Sequence, residues 1–421
     1  MINKFFYIKG GSETYYFSLK RLLEEHGHQV IDFSMADDKN FDSPYGKYFV
    51  KNVEYNGHTS IKDKLSMASH IIYSREAQKN LEQLIIDTRP DIAHLHIFQH
   101  QMSPSILSTL EKHHIPVVYT AHDLKMLCLN YKMLNHTGIC EKCKGHKYYN
   151  CVKYKCIKDS MAKSAICMVE GYLHRMLKSY DKIDCIITPS KFYYDKFLEF
   201  GISADRVRYI PNFLEDEKDG IKRQDAIDEK ITDRGAGRNN ADATSYFLYL
   251  GRISEEKGIG TLMKAVKGTK HQVKIAGTGP LFDYYQQMAR EEQIPNVEFL
   301  GFQQGVALQN LVRDARAVIL PSEWYENSPY SGIEAISQGK VMIGSDLGGI
   351  PELIRDGENG YIFPAGMVSS LRSMLDKVMK LNDKELSEMK QASYQLFQER
   401  FTAEKHYTQI LEVYGRVCRE F

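Results

Sequence analysis

Between Ala317 and Pro364 the chain reads AVILPSEWYENSPYSGIEAISQGKVMIGSDLGGIPELIRDGENGYIFP. Ala317 to Leu320 is a short apolar run, the length of a buried strand, and Pro321 ends it. A polar loop follows, carrying Glu323, Glu326 and Asn327. Ser328-Pro329 predicts a helix start, because serine caps and proline suits the first turn. Gly332 to Gln338 continues that helix, and Val341 to Gly344 is a second apolar run. Gly348-Gly349 predicts a turn, with a helix beginning near Pro351. Strand, loop, helix, strand, loop, helix is the pattern of a parallel sheet with crossover helices.

Glu326 and Glu334 have seven residues between them. With one in the loop and the other two turns into the helix, both can point into the crevice at the strand carboxyl ends, where ligands of open α/β sheets bind. The free N–H groups at the helix start favour a phosphate there. Asn327, Ser328, Pro329 and Tyr330 surround that start and are candidate donor-binding residues. Most glutamates lie on exposed faces, so spacing alone leaves two solvated carboxylates as the competing reading.

The stretch from Glu326 to Glu334, with Ala335, Gly339, Gly348-Gly349, Pro351-Glu352 and Asp356-Gly357, resembles the Glu-x7-Glu region of family-4 retaining glycosyltransferases. The resemblance implies an α/β chain of the GT-B fold: two Rossmann-like domains with parallel sheets facing across a cleft. It also implies roles. The second glutamate, here Glu334, would bind ribose hydroxyls, and the first, here Glu326, would touch the sugar.

Composition sets the frame. A chain of 421 residues suggests two or three domains, and 43% hydrophobic content supplies their cores. A net charge of +1 gives no case for nucleic acid. No run has the length of a transmembrane helix. The opening MINKFFYIKGGSE lacks the apolar segment and cleavage site of a signal peptide. A cytoplasmic protein is expected, with the inner face of the membrane as an alternative station. Eight cysteines in that compartment read as thiols or metal ligands rather than disulfides.

The first half alternates strands and helices. Lys4 to Ile8 predicts a strand, Gly10-Gly11 a turn, Ser12 to His26 a helix and Gln29 to Phe33 a strand. This opening is not GxGxxG, so a dinucleotide fingerprint is absent. Gly10 and Gly11 allow close backbone approach to a ligand or serve an ordinary turn. The Gly-Gly-x-Glu pattern resembles the family's first loop, which meets donor phosphates and acceptor. Asp37 to Ser66 reads as a mobile loop or surface insertion. Ala68 to Thr88 predicts a helix, Ile92 to His96 a strand, and Ser103 a helix start. Pro116 to Thr120, Cys185 to Thr188 and Val207 to Ile210 are strands, with a helix over Ser190 to Phe200. His122 follows a strand end and resembles the family's cleft histidine. His94, His96 and His100 are weaker candidates on the same face.

Five of the eight cysteines fall within the 29 residues from Cys128 to Cys156. Cys140-x2-Cys143 and Cys151-x4-Cys156 have spacings that can surround a structural zinc or an iron–sulfur cluster, or be unliganded thiols. From Lys125 to Asp184 there are twelve Lys/Arg against five Asp/Glu, with Met161, Met168 and Leu173 interleaved. That reads as a solvated helix with its apolar side packed, or as a face for anionic lipid or a lipid-linked pyrophosphate acceptor.

Leu214 to Ser245 holds nine Asp/Glu and six Lys/Arg and reads as a linker. Beyond it Tyr246 to Leu250 is a strand, followed by Gly251-Arg252 and a loop ending Lys257-Gly258, with a helix from Gly260. Strands over Val273 to Ala276 and Val297 to Leu300 end in Gly277-Thr278-Gly279 and Gly301-Phe302. Helices are expected over Ser369 to Lys380, Asp383 to Glu399 and Thr402 to Arg419. The spacing of Arg252 and Lys257 fits surface basicity equally well. GRISEEKG is similar to the family's Gly-Arg-x4-Lys-Gly, which implies that both cations hold the diphosphate and that Gly301-Phe302 lies beside the base. The expected organisation is an acceptor-binding domain over 1–213 with a cysteine-rich insertion near 125–160. A linker spans 214–245 and a nucleotide-sugar domain 246–400, and a last helix over 401–421 crosses back.

These readings converge on a retaining glycosyltransferase. The resemblance implies transfer of a hexose from a nucleoside diphosphate sugar, UDP-linked in preference to GDP-linked, to a glycan or lipid-linked acceptor in cell-surface polysaccharide synthesis. Glu326, Arg252, Lys257 and His122 are its candidate catalytic residues. Gly277, Gly279, Gly301 and Phe302 are expected at the donor. No Asp-x-Asp occurs, so no metal is expected at the donor. A nucleotide-sugar epimerase of the same architecture and a non-catalytic binding subunit are the rival readings.

Overall fold

The computed structural model describes residues 1–52, 72–100, 102–215 and 245–419. Much of the stretch expected as a loop from Asp37 to Ser66 lies outside them. So do the start of the helix expected from Ala68 and nearly all of the linker expected over Leu214 to Ser245. The chain divides into two compact units, Met1–Asn212 with Glu404–Phe421, and Phe213–Ala403.

The first unit carries β1 (Ala93–Leu95), β2 (Val117–Thr120), β5 (Cys185–Thr188) and β6 (Val207–Tyr209) in one parallel sheet of that order. A separate antiparallel pair joins β3 (Leu134–Asn135) and β4 (Gly138–Ile139). Its helices are α1 (Gly11–Glu25), α2 (Arg75–Thr88), α3 (Ile106–Lys112), α4 (Tyr149–Lys153), α5 (Met161–Met176), α6 (Lys191–Glu199) and, from the end of the chain, α13 (Ala403–Val417). Helix α1 buries Tyr15, Tyr16, Leu19, Leu22 and Leu23, a stripe at helical spacing.

The strand expected over Lys4 to Ile8 does not form. Ile2 bridges Phe33 and Leu95 in its place. The reason is local. The Asn3 side-chain amide donates to the Phe5 carbonyl at 2.8 Å and its oxygen accepts from Ile97 N at 3.1 Å, so a side chain takes the bonds a strand ladder would use. Phe6 then packs inward against Tyr16 and Phe49 while Ile8 is left exposed.

The second unit carries β7 (Tyr246–Leu250), β8 (Gln272–Ala276), β9 (Val297–Gly301), β10 (Ala317–Leu320), β11 (Val341–Ser345) and β12 (Gly360–Phe363). The order is β12-β11-β10-β7-β8-β9, all parallel. Counted within the unit this is 3-2-1-4-5-6, the doubly wound order, and the winding reverses between β7 and β10. Alternate residues serve opposite faces. Phe247, Tyr249, Ile275, Ile319 and Ile343 pack with α7 (Ile259–Val266), α8 (Phe282–Glu291) and α11 (Val368–Lys380). Leu248, Leu250, Val318, Leu320 and Met342 pack with α9 (Gly305–Asp314), α10 (Tyr330–Ser337) and α12 (Asp383–Arg400). Covering both faces explains why these strands read as continuous apolar runs.

Two expectations in this unit need correction. Ser328 is not the N-cap of α10; Pro329 holds that position and makes no side-chain capping bond. The helix expected near Pro351 is only a single 3₁₀ turn, Ile350–Leu353. Asn359 explains the stop: its amide donates to the Leu353 carbonyl and its oxygen accepts from Arg355 N, which closes the turn.

Candidate active site

The point where the sheet of the second unit reverses its winding brings two loops together. One follows β7 and carries Arg252 and Lys257; the other follows β10 and carries Ser322, Glu323 and Glu326. Gly258 sits between them at φ +69°, and a Cβ there would stand 1.9 Å from the Pro321 carbonyl oxygen. Only glycine permits that approach. Glu323 N donates to the Glu256 carbonyl at 2.8 Å, and Thr261 Oγ1 donates to Glu323 Oε1 at 2.6 Å. The loops are therefore fixed to each other before any ligand is considered.

Within this frame Lys257 Nζ donates to Glu326 Oε1 at 2.6 Å, and Ser322 Oγ donates to the same oxygen at 2.6 Å. Ser345 Oγ donates to the Ser322 carbonyl at 2.7 Å, which ties the end of β11 to the group. Gly349 N donates to the Glu326 carbonyl at 2.8 Å. Glu326 is only 7% exposed. Burial opposes its ionisation, but the Lys257 ammonium and the hydroxyl of Ser322 outweigh burial and hold the carboxyl below its ordinary value. Lys257 also lies 5.3 Å from the centre of the Trp324 ring. One of its three N–H donors is used by Glu326, which leaves donors for a second anion.

The turns after β7, β8 and β9 form a row. Gly251 N donates to the Ala276 carbonyl at 3.1 Å and Gly277 N to the Gly301 carbonyl at 2.7 Å. A Cβ on Gly277 would stand 1.8 Å from the Gly251 oxygen, and one on Gly279 2.2 Å from the Ile253 oxygen. The space beside these two glycines is thus filled by backbone of the Arg252 loop. Arg252 itself is exposed, and Phe302 is 68% exposed. Glu334 is half-buried on α10, with Asn327, Ser328, Pro329 and Tyr330 half-buried around the helix start.

Gly10, Gly11 and His122 belong to the first unit. Gly10 is the N-cap of α1 and Gly11 its first residue. Glu13, one turn in, accepts from Ser12 Oγ at 3.0 Å, and burial pushes its carboxyl up. His122 follows β2 and its Nε2 meets His96 Nδ1 at 3.0 Å, with the rings 5.3 Å apart. His94 stacks on His96 at 4.5 Å and bonds Tyr414 and Thr120, each at 2.7 Å. His406 bonds Tyr15 at 3.0 Å and the Pro211 carbonyl at 2.8 Å. Burial lowers all four histidines, His122 and His406 to about 3. The unfolded value is near 6.5. Their neutral forms support the fold fully above pH 6.5, and that support is lost as pH falls from 6.5 toward 3. Each such histidine steepens the loss by up to about 1.4 kcal/mol per pH unit. Circular dichroism of thermal unfolding should show the melting point dropping sharply below pH 6, and His406→Gln should flatten the slope by about one proton. A melting point independent of pH between 6.5 and 4.5 would contradict this.

Residues 9–218 match the family described as Glycosyltransferase Family 4, and residues 236–396 match Glycosyl transferases group 1. The chain belongs to the group 1, family 4 glycosyltransferases. An uncharacterised glycosyltransferase of Methanocaldococcus jannaschii is 30% identical over 201 residues, 46% of this chain and 50% of that one. The lipopolysaccharide 1,2-N-acetylglucosaminetransferase of Salmonella typhimurium is 29% identical over 214 residues, 48% of this chain and 54% of its own. The matched stretches thus span about half the length of these curated relatives. Among solved structures, HepE of Anabaena, in complex with UDP and glucose, aligns over 98% of both chains at 16% identity with a TM-score of 0.63. The glycosyltransferase therefore has the GT-B fold, α/β with two parallel-sheet Rossmann-like domains.

Sequence reasoning missed Ser322, which orients Glu326, and His406, which reaches the histidine group from the far end of the chain. Ser322 had a signal, since a hydroxyl four residues before a loop carboxylate is within reach of it. His406 had none. A zinc or iron–sulfur cluster at Cys140, Cys143, Cys151 and Cys156 finds no support, which leaves the reading as unliganded thiols. Among the described residues no three His, Cys, Asp or Glu side chains are grouped to hold an ion. All eight cysteines are free thiols, and the Cys128 thiol donates to Asn130 Oδ1 at 3.0 Å. Cys128, Cys143 and Cys151 are buried, whereas Cys140 and Cys156 stand partly in solvent.

Proposed function

We propose that this glycosyltransferase transfers a hexose, with retention, from a nucleoside diphosphate sugar to a hydroxyl of a glycan or lipid-linked acceptor in cell-surface polysaccharide synthesis. A UDP-sugar is favoured as donor. The observation that carries the reading is the Lys257–Glu326 pair at the reversal of the sheet, with Arg252 exposed on the same loop. Breaking the bond from the sugar C1 to phosphate leaves a diphosphate whose charge must be neutralised. Lys257 and Arg252 supply two cations, one a point charge and the other a planar fork. The N-terminal end of α10 would add its dipole at the phosphate. The acceptor oxygen would attack C1 from the face the phosphate leaves, and the departing phosphate oxygen would take the acceptor proton. Glu326 would accept a sugar hydroxyl through its second oxygen. Glu334 would hold the ribose, with Gly301 and Phe302 beside the base. The relatives named for lipopolysaccharide synthesis and for a UDP complex support this choice of acceptor and donor. No step requires a metal. The second unit would bind the donor, and the first, with Gly10, Gly11 and His122, would serve the acceptor and the sugar.

The two glutamates test it. A carboxylate accepting a hydroxyl contributes roughly 1.5–3 kcal/mol, about ten- to a hundredfold in affinity. Glu334→Gln should weaken UDP and the intact donor alike. Glu326→Gln should leave UDP nearly untouched and depress turnover with the donor. Titration calorimetry beside a rate assay separates the two. Equal weakening of UDP by both variants would sink the division of roles.

A further inference from the structure

His96 is wholly buried and touches no solvent, so any part it takes in the chemistry passes through a neighbour. It follows β1, and His122 stands just past the end of β2; the two strands pair with Leu95 beside Tyr119. His96 N donates to the Ile2 carbonyl at 2.9 Å, which fixes the backbone. His94 covers one face of the His96 ring at 4.5 Å, and Tyr16 meets it edge-on at 5.2 Å. Packing therefore sets the direction of each ring nitrogen. Nδ1 meets His122 Nε2 at 3.0 Å, with the two rings inclined by only 25°. Nε2 is buried and meets no hydrogen-bond partner among the described residues.

One proton lies between the two rings, and its owner follows from what each choice leaves behind. Burial keeps both imidazoles neutral, so each carries a single ring proton. If His122 donated, the His96 proton would stand on Nε2, a buried N–H with no acceptor. If His96 donates, its Nε2 is only a bare lone pair. Orphaned buried N–H groups are rarer in folded proteins than under-satisfied acceptors, so the second arrangement is favoured. It leaves His122 Nε2 as the acceptor and places the His122 proton on Nδ1. We propose that His96 is a positioning residue that fixes His122 in this Nδ1–H tautomer, so that His122 meets a sugar hydroxyl of the donor as a hydrogen-bond donor and not as an acceptor. The hydrogen bond at one ring nitrogen sets the state of the other. His122 is half-buried, which lets it pass to a ligand what the enclosed His96 dictates. The sugar contact rests on the function proposed above; the tautomer rests on the packing alone.

Ring-nitrogen chemical shifts of the full chain, isotopically labelled at histidine and held near neutral pH, decide the tautomer without any substrate. The His122 signals, assigned by their loss in His122→Asn, should show a protonated Nδ1 and a bare Nε2. A protonated Nε2 on His122 overturns the proposal. His96→Asp offers only an acceptor and should move the His122 proton to Nε2. His96→Leu should lower turnover of a UDP-sugar by about ten- to a hundredfold and leave the affinity for UDP unchanged, because UDP carries no sugar. His96→Asn keeps an N–H where Nδ1 stood and should recover most of that loss. A ring that only filled space would be missed alike in the Leu and Asn variants, so equal losses of turnover in both overturn the proposal. A chain that turned over no sugar nucleotide, yet showed the Nδ1–H signal, would sink the proposed function and leave the tautomer assignment standing.

Discussion

Changing Lys257 to alanine is expected to lower turnover by about 10²-fold or more and, separately, to destabilise the second unit. The first effect is the loss of charge support at the leaving diphosphate. The second follows from what remains behind. Glu326, 7% exposed, would keep its burial and the Ser322 hydroxyl but lose the ammonium 2.6 Å away. Breaking a fully buried pair costs about 3–5 kcal/mol, and the partial exposure of Lys257 brings the expected loss to about 2–3 kcal/mol. The pH dependence has a definite sign. In the native chain the Glu326 carboxyl is held low, so its contribution is present above its ordinary pKa and lost below it. In the variant, burial without the cation pushes the carboxyl up, so the stability gap between the two chains narrows as pH falls below about 5. Adding Glu326→Gln to Lys257→Ala should restore most of the stability and none of the turnover. Arg252 is exposed, and Arg252→Ala should cost about the same turnover with an unchanged melting point. Near-normal rates in both single variants would remove the phosphate role.

Gly258→Ala should be strongly damaging to the second unit for the replacement of a single hydrogen. The positive φ alone costs about 1 kcal/mol. The added Cβ would also stand 1.9 Å from the Pro321 oxygen, a backbone atom that cannot turn aside. Forcing the two loops apart adds about 1–3 kcal/mol and would strain the Lys257–Glu326 contact with them. A loss of roughly 2–4 kcal/mol lowers the melting point of a domain this size by about 4–16 °C. Gly268→Ala is the control: its φ is +73° but no atom lies within 4 Å of the new methyl. It should cost about 1 kcal/mol. Similar losses in both variants would show that backbone conformation, and not the approach of the loops, is what Gly258 provides.

The legible parts of this chain share one property. Ala317 to Leu320 and Tyr246 to Leu250 lie in strands buried on both faces, so composition alone marks them. Lys4 to Ile8 has similar composition, but a single amide at Asn3 redirects its backbone bonds. The family pattern placed Lys257 and Glu326 in one site, yet their direct contact crosses 69 residues and depends on Gly258 and Pro321 meeting. No local spacing encodes that. Helix α5 shows a different limit. Periodicity reveals that a helix has two faces, but here the inward one is the polar one, Ser164, Cys167, Glu170 and His174, with Glu170 on the buried Lys125. The cysteines show a third, because the tight Cys140-x2-Cys143 spacing does not tell that Cys143 is buried while Cys140 stands partly in solvent.

The way the units nest in the chain has a consequence for synthesis. The first unit needs residues from both ends of the chain, since His406 and Tyr414 close over Tyr15 and His94. Residues 213–403 emerge from the ribosome in between. At roughly 5–20 residues per second that is a delay of about 10–40 s, during which the aromatic and histidine core is made but uncovered. The second unit is contiguous and can finish folding first. Chains truncated after residue 403 and released from the ribosome should thus hold a protease-resistant second unit beside a sensitive first one, and a chaperone would find its client in the half of the protein that was translated earliest.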